Sequence, residues 1–203
     1  MTKKALILIA DGTEDMEFTI TYDTLVRAGV QCTSAYVSSV GTESATNDAY
    51  QATPYATCSR GIRIVPDTVF SPQAATPETY DLLVIPGGAK GAETISTNSP
   101  VQHLVREYIE AGKYVGMICA GSLAALTSNL PKQPLTSHPS VQSQLESDFT
   151  YSNDPVVVSG KLVTSRGPGT TFPFALTLVE LLCGKEKRTE VGGPMVFPPG
   201  TFA

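Results

Sequence analysis

The sequence predicts a doubly wound α/β fold, a mostly parallel sheet with helices on both faces. Residues 5–10 (ALILIA) are a continuous apolar run and 81–85 (DLLVI) are apolar after Asp81, the pattern of strands buried on both faces. Each is followed at once by turn residues, Asp11-Gly12-Thr13 and Pro86-Gly87-Gly88. Apolar runs also alternate with amphipathic segments in the order β-α-β, then β-α-β-α.

Each element follows from local chemistry. After the first strand, Thr13 is placed to cap a helix whose first turn holds Glu14, Asp15 and Glu17, acids favoured by the helix dipole. That helix runs to about Ala28 and stops at Gly29, and residues 31–37 form the second strand. Residues 38–57 are rich in Ser, Thr, Ala and Gly without period, and read as an exposed insertion. A short strand at 61–65 and a loop at 72–77 lead to the strand at 81–85. Residues 100–111 make an amphipathic helix carrying Val101, Leu104, Val105 and Tyr108 on one side, ending near Gly112. The strand at 114–118 runs into Cys119-Ala120-Gly121-Ser122 and a helix from about Leu123. Residues 156–159 and 162–165 form a hairpin about Gly160-Lys161, and 170–183 form a last apolar helix. Residues 192–203 hold three prolines and three glycines and read as an irregular arm. The chain, 1–203, is expected to be one domain.

Composition narrows the function classes. Hydrophobic residues at 41% and charged residues at 16% exclude a disordered chain. A net charge of −5 argues against a basic nucleic-acid-binding face. No apolar run approaches the ~20 residues of a membrane span. The start MTKKALILIADG lacks the long apolar segment of an export signal. A cytoplasmic protein is expected, with the nucleus as an alternative. Cys32, Cys58, Cys119 and Cys183 contain no C-x-x-C pair and His103 and His138 are the only histidines, so no metal site is expected. The four thiols should be free, which makes the question which of them is reactive.

In doubly wound folds ligands sit at the carboxyl ends of strands, here after Ala10, Ile85, Ile118 and Ser165. Cys119 sits on a sharp strand-to-helix turn, which exposes a nucleophile beside backbone N–H groups and lowers a thiol pKa; the alternative is a buried structural thiol. Cys32 and Cys183 read as core residues, and Cys58 as an exposed loop residue. Glu17 is either a surface acid serving the helix dipole, like Glu14 and Asp15, or a proton carrier facing the strand ends. In the second case it and Cys119 must share one proton and titrate as a pair. Gly87 and Gly88 suit close approach of backbone N–H groups to a ligand or oxyanion. His138, in a polar loop, is either solvated or functional; His103 reads as structural or exposed.

Five motifs in order make the chain resemble the DJ-1/PfpI superfamily, and within it the DJ-1 branch of redox-sensor, deglycase and glyoxalase proteins. They are Asp11-Gly12-Thr13-Glu14-Asp15-Met16-Glu17, Val84-Ile85-Pro86-Gly87-Gly88, Gly116-Met117-Ile118-Cys119-Ala120-Gly121, Thr136-Ser137-His138-Pro139 and Thr164-Ser165-Arg166-Gly167-Pro168-Gly169-Thr170. The resemblance implies a flavodoxin-like sandwich, a homodimer, and no metal or cofactor. It makes Cys119 the nucleophile, Glu17 the acid bonded to its sulfur and His138 an assisting group. The N–H groups of Gly88 and Ala120, with Gly87 alongside, would form the oxyanion pocket. Arg27 and Arg60 would lie near it, one reaching across the dimer, and Pro168 and Pro194 would stand in the segments that wall it. The implied activity is a glutathione-independent glyoxalase acting on small dicarbonyls, methylglyoxal to lactate and glyoxal to glycolate. The rivals are a redox sensor or chaperone using oxidation of Cys119, a protein deglycase, and a non-catalytic binding module. Three departures stand out: Val65 where close relatives carry a second oxidisable cysteine, a longer 38–57 stretch, and a tail beyond Phe197. Ala120 directly after the nucleophile, and no histidine after His138, argue against the protease-like and amidotransferase branches.

Overall fold

The computed structural model describes residues 2–38 and 55–201. The insertion expected at 38–57 lies outside the described residues over 39–54. The strands are β1 (Lys4–Ile9), β2 (Gln31–Tyr36), β3 (Ala56–Thr57), β4 (Arg63–Ile64), β5 (Thr68–Val69), β6 (Leu82–Ile85), β7 (Tyr114–Ile118), β8 (Pro134–Leu135), β9 (Thr150–Tyr151), β10 (Val156–Ser159) and β11 (Leu162–Ser165). The helices are α1 (Asp15–Arg27), α2 (Ala89–Ser96), α3 (Ser99–Glu110), α4 (Leu123–Thr127), α5 (Gln142–Leu145), α6 (Thr171–Cys183) and α7 (Lys185–Gly192).

A seven-stranded sheet in the order β10-β11-β7-β6-β1-β2-β5 forms the centre. Its pairs are parallel except β10 with β11, the expected hairpin. The unbroken apolar runs are buried: Leu6 to Ala10, Leu82 to Ile85 and Val115 to Ile118 all lie in the core. Helices α1 and α6 pack against each other, and α2 lies beside α3 and α4. From β1 the chain moves out to β2 and then returns to the other side of β1 as β6. The crevice at this reversal opens between the loops that follow β1 and β6. β7 lies next to β6, so Cys119 leaves the sheet at the same crevice.

Three local expectations are corrected. Glu14, not Thr13, caps α1: its Oε2 accepts the Glu17 N–H at 2.8 Å. Thr13 is occupied in closing the preceding turn, where its Oγ1 accepts the Ala10 N–H at 3.0 Å. Helices α2 and α7 are additions to the expected elements: AKGAETIS and KEKRTEVG are only eight residues each and carry few large apolar side chains, so tertiary packing decides them. The end of the 38–57 stretch is also not featureless, since β3 pairs antiparallel with β4. Among the described residues no helix is long and apolar enough to cross a membrane.

Candidate active site

Cys119 follows β7 directly and adopts φ +62°, the left-handed region that a residue with a Cβ enters only under strain. The surrounding backbone enforces it. A Cβ on Gly121 would fall 2.5 Å from the Ile85 carbonyl oxygen, so the turn packs directly on the end of β6. Gly88 has φ +83°, and a Cβ there would collide with the Gly12 carbonyl oxygen. Glycine at these two positions lets three loops close on one sulfur. The N–H groups of Gly88 and Ala120 both act on the Cys119 sulfur, the pair expected to form the oxyanion pocket.

Glu17, in the first turn of α1, is fully buried. Its Oε2 accepts the Gly87 N–H at 2.7 Å, and its carboxyl meets the Cys119 thiol. Gly87 thus holds the acid rather than facing a ligand. It has no room for a side chain: a Cβ would lie 2.5 Å from Cys119 Cβ and 2.6 Å from Glu17 Oε2. Burial pushes the Glu17 carboxyl up to about 7 from its ordinary 4.5, against the opposing Gly87 hydrogen bond. Burial, and then the charge of Glu17, push the Cys119 thiol up to about 12, against the Ala120 and Gly88 N–H groups. The expected lowering of the thiol by its turn is therefore outweighed, first by burial and then by the charge of Glu17. A proton on Glu17 removes that charge and supplies a donor beside the sulfur, so thiolate and neutral acid are one state of a shared-proton pair.

His138 lines the same cavity, which measures about 640 Å³. Its Nδ1 accepts the Ser140 N–H at 3.2 Å and lies 2.8 Å from Ser140 Oγ. The neutral ring therefore carries its proton on Nε2. The His138 backbone N–H donates to the Cys119 carbonyl at 3.3 Å, which ties its loop to the Cys119 turn. Gly167 lies between His138 and Glu17: a Cβ on it would be 3.5 Å from His138 Cδ2 and 4.0 Å from Glu17 Oε1.

Of the remaining expected residues, Gly88, Ala120, Arg60 and Pro168 line the cavity. Arg27 does not: it pairs with Asp23 at 2.6 Å in the last turn of α1. Ten residues of helix separate it from Glu17, ~15 Å of rise. Pro194 is exposed and lies outside the cavity lining. Cys58, expected to be exposed, is 4% exposed and lines the cavity. Cys32 and Cys183 are only partly buried.

Glu14 and Asp15 are buried, not surface acids. Asp15 has a role that helix-dipole reasoning missed. Its Oδ2 accepts the Arg60 N–H at 2.8 Å and lies 3.2 Å from Ser59 Oγ, and its Oδ1 accepts the Ile62 N–H at 3.2 Å. Asp11 Oδ1 accepts the Thr57 N–H at 2.9 Å. These two acids strap the segment bearing Thr57, Cys58, Ser59 and Arg60 across one side of the cavity. The carboxylate-to-loop pairing spans distant sequence, so no local pattern signals it.

Comparison with known proteins bears on the family and the fold. The pattern of the DJ-1/PfpI family matches residues 3–181. Glutathione-independent glyoxalase DJ-1 of Schizosaccharomyces pombe is 37% identical over 96% of this chain and 99% of its own length. Glutathione-independent glyoxalase DJR-1.2 of Caenorhabditis elegans is 33% identical over 95% of this chain and 96% of its own. The crystal structure of Drosophila melanogaster DJ-1beta superposes with a TM-score of 0.86 at 36% identity, covering 98% of this chain and all of that one.

Proposed function

The chain belongs to the DJ-1/PfpI family, and on that footing we propose that it is a glutathione-independent glyoxalase, converting methylglyoxal to lactate and glyoxal to glycolate. The carrying observation is the buried pair at the cavity floor, a strained strand-end thiol against a carboxyl raised to about 7. An acid poised near neutrality both gives and takes a proton at working pH.

The reaction starts with addition of the Cys119 sulfur to the aldehyde carbon. A C–S bond forms, and the oxyanion takes up a proton to give a hemithioacetal. The N–H groups of Gly88 and Ala120 hold the developing oxyanion. Glu17 then carries the proton on the former aldehyde carbon to the neighbouring carbon through an enediol, with the His138 Nε2–H polarising the second oxygen. The aldehyde carbon is oxidised and the ketone carbon reduced, so no external oxidant enters. Water cleaves the resulting thioester, releasing the hydroxy acid and restoring the thiol.

Purified protein should form lactate from methylglyoxal without glutathione, and Cys119→Ala should abolish it. Activity that survives in this variant overturns the mechanism. We further infer a cytoplasmic homodimer. Exposed Met16, Ile62 and Val65 supply apolar surface for its interface, and sedimentation as a monomer at micromolar concentration would refute it.

A further inference from the structure

The cavity is larger than a three-carbon dicarbonyl requires, and its charged lining is Asp11, Glu14, Arg60 and Lys90. Arg60 and Lys90 line it, and neither has an ion-pair partner among the described residues. Asp11 and Glu14 line the same cavity, and both carboxylates take hydrogen bonds from the fold. Both oxygens of Asp11 are engaged, Oδ1 by the Thr57 N–H and Oδ2 by the Tyr36 hydroxyl at 3.2 Å. Glu14 caps α1, and Asp15 holds the Arg60 loop through both oxygens. The acids of the lining thus have hydrogen-bond donors of the fold as partners, while the two exposed cations have no ion-pair partner among the described residues.

Lys90 is placed against local preference. It lies in the first turn of α2, where the helix field disfavours a cation, and no acid shares that turn. Its stem is seated closely: Gly12 has φ +85°, and a Cβ there would lie 2.7 Å from Lys90 Cβ. The absence of a side chain at Gly12 gives Lys90 its place in the cavity lining, which the Asp15-anchored segment carrying Arg60 shares.

We propose that the site selects α-oxoaldehydes that carry a carboxylate tail, with Lys90 and Arg60 receiving the carboxylate while Cys119 takes the aldehyde carbon. This rests on the glyoxalase reading and names its substrate class. The chemistry is unchanged and balances internally: dioxo acid plus water gives the hydroxy dicarboxylate. Two cations without ion-pair partners attract an anion locally even though the whole chain is net negative at −5.

The test compares two five-carbon substrates on the purified full-length protein, γ,δ-dioxovalerate, which ends in a carboxylate, and neutral propylglyoxal. The readout is the ratio of their kcat/KM values, which cancels effects on folding or on the thiol. The wild-type ratio should exceed one at low salt and fall as salt rises. Lys90→Gln should lower it by about fivefold, and Lys90→Glu should lower it further. A salt-independent ratio at or below one, or a ratio indifferent to both Lys90 variants, overturns the inference while leaving the glyoxalase reading intact. Turnover of neither compound overturns both.

Discussion

Replacing Glu17 by Gln keeps the shape of the side chain and an oxygen for the Gly87 N–H, but removes the titration. The Glu17 carboxyl sits at about 7 instead of 4.5, so ionising it inside the fold costs about 3 kcal/mol more than in the unfolded chain. The sign follows from proton counting. Between 4.5 and 7 the native state holds a proton that the unfolded state has released, so wild-type stability falls as pH rises through that window. Below the window both states are protonated; above it both are ionised and the full cost is present. Glu17→Gln carries no such term. Urea unfolding of both proteins from pH 4 to 8 should therefore show the variant gaining about 3 kcal/mol relative to wild type across the window. The same substitution should abolish the step near pH 7 in the rate of Cys119 alkylation, because that step is loss of the pair's first proton. A stability difference flat within about 1 kcal/mol over this range would refute a buried, neutral Glu17, and with it the shared-proton account of the thiol.

Two further substitutions probe the framework around the pair. Gly87→Ala places a Cβ 2.5 Å from Cys119 Cβ and 2.6 Å from Glu17 Oε2. It should destabilise by about 2 kcal/mol in chemical denaturation and cut methylglyoxal turnover by about a hundredfold. Asp15→Ala releases the loop bearing Arg60 and should cost about 2 kcal/mol. It should raise KM several-fold while leaving the pH profile of Cys119 alkylation in place, whereas an altered alkylation profile would show that Asp15 supports the nucleophile rather than the wall.

Much of the site could be read from the sequence because its parts obey local rules. A residue ending an apolar strand before Ala-Gly must turn sharply, which makes Cys119 the candidate among the four thiols. A Gly pair after a buried strand brings backbone N–H groups to the strand end, which identified Gly88. Motif order supplied His138. Where reasoning stayed local it erred in predictable ways. Asp15 and Glu14 were read as dipole acids, because the first-turn preference is the same whether an acid faces water or a distant loop. Cys58 was read as exposed because its loop is polar, yet the strap to Asp11 and Asp15 presses it inward. Arg27 stands at the far end of α1 from Glu17, ion-paired to Asp23 and outside the cavity of the single chain.

The sequence by itself determined the main strands and helices, β1, β2, β6, β7, the β10–β11 hairpin, α1, α3 and α6, because periodicity and backbone sterics act over a few residues. It also supplied the chemical groups. Only the tertiary structure decided their states. Strand order sets β1, β6 and β7 side by side, and that adjacency brings the first turn of α1 against the end of β7. Burial there, a property of the assembled layers, is what pushes the Glu17 carboxyl toward neutrality and makes its proton available to the sulfur.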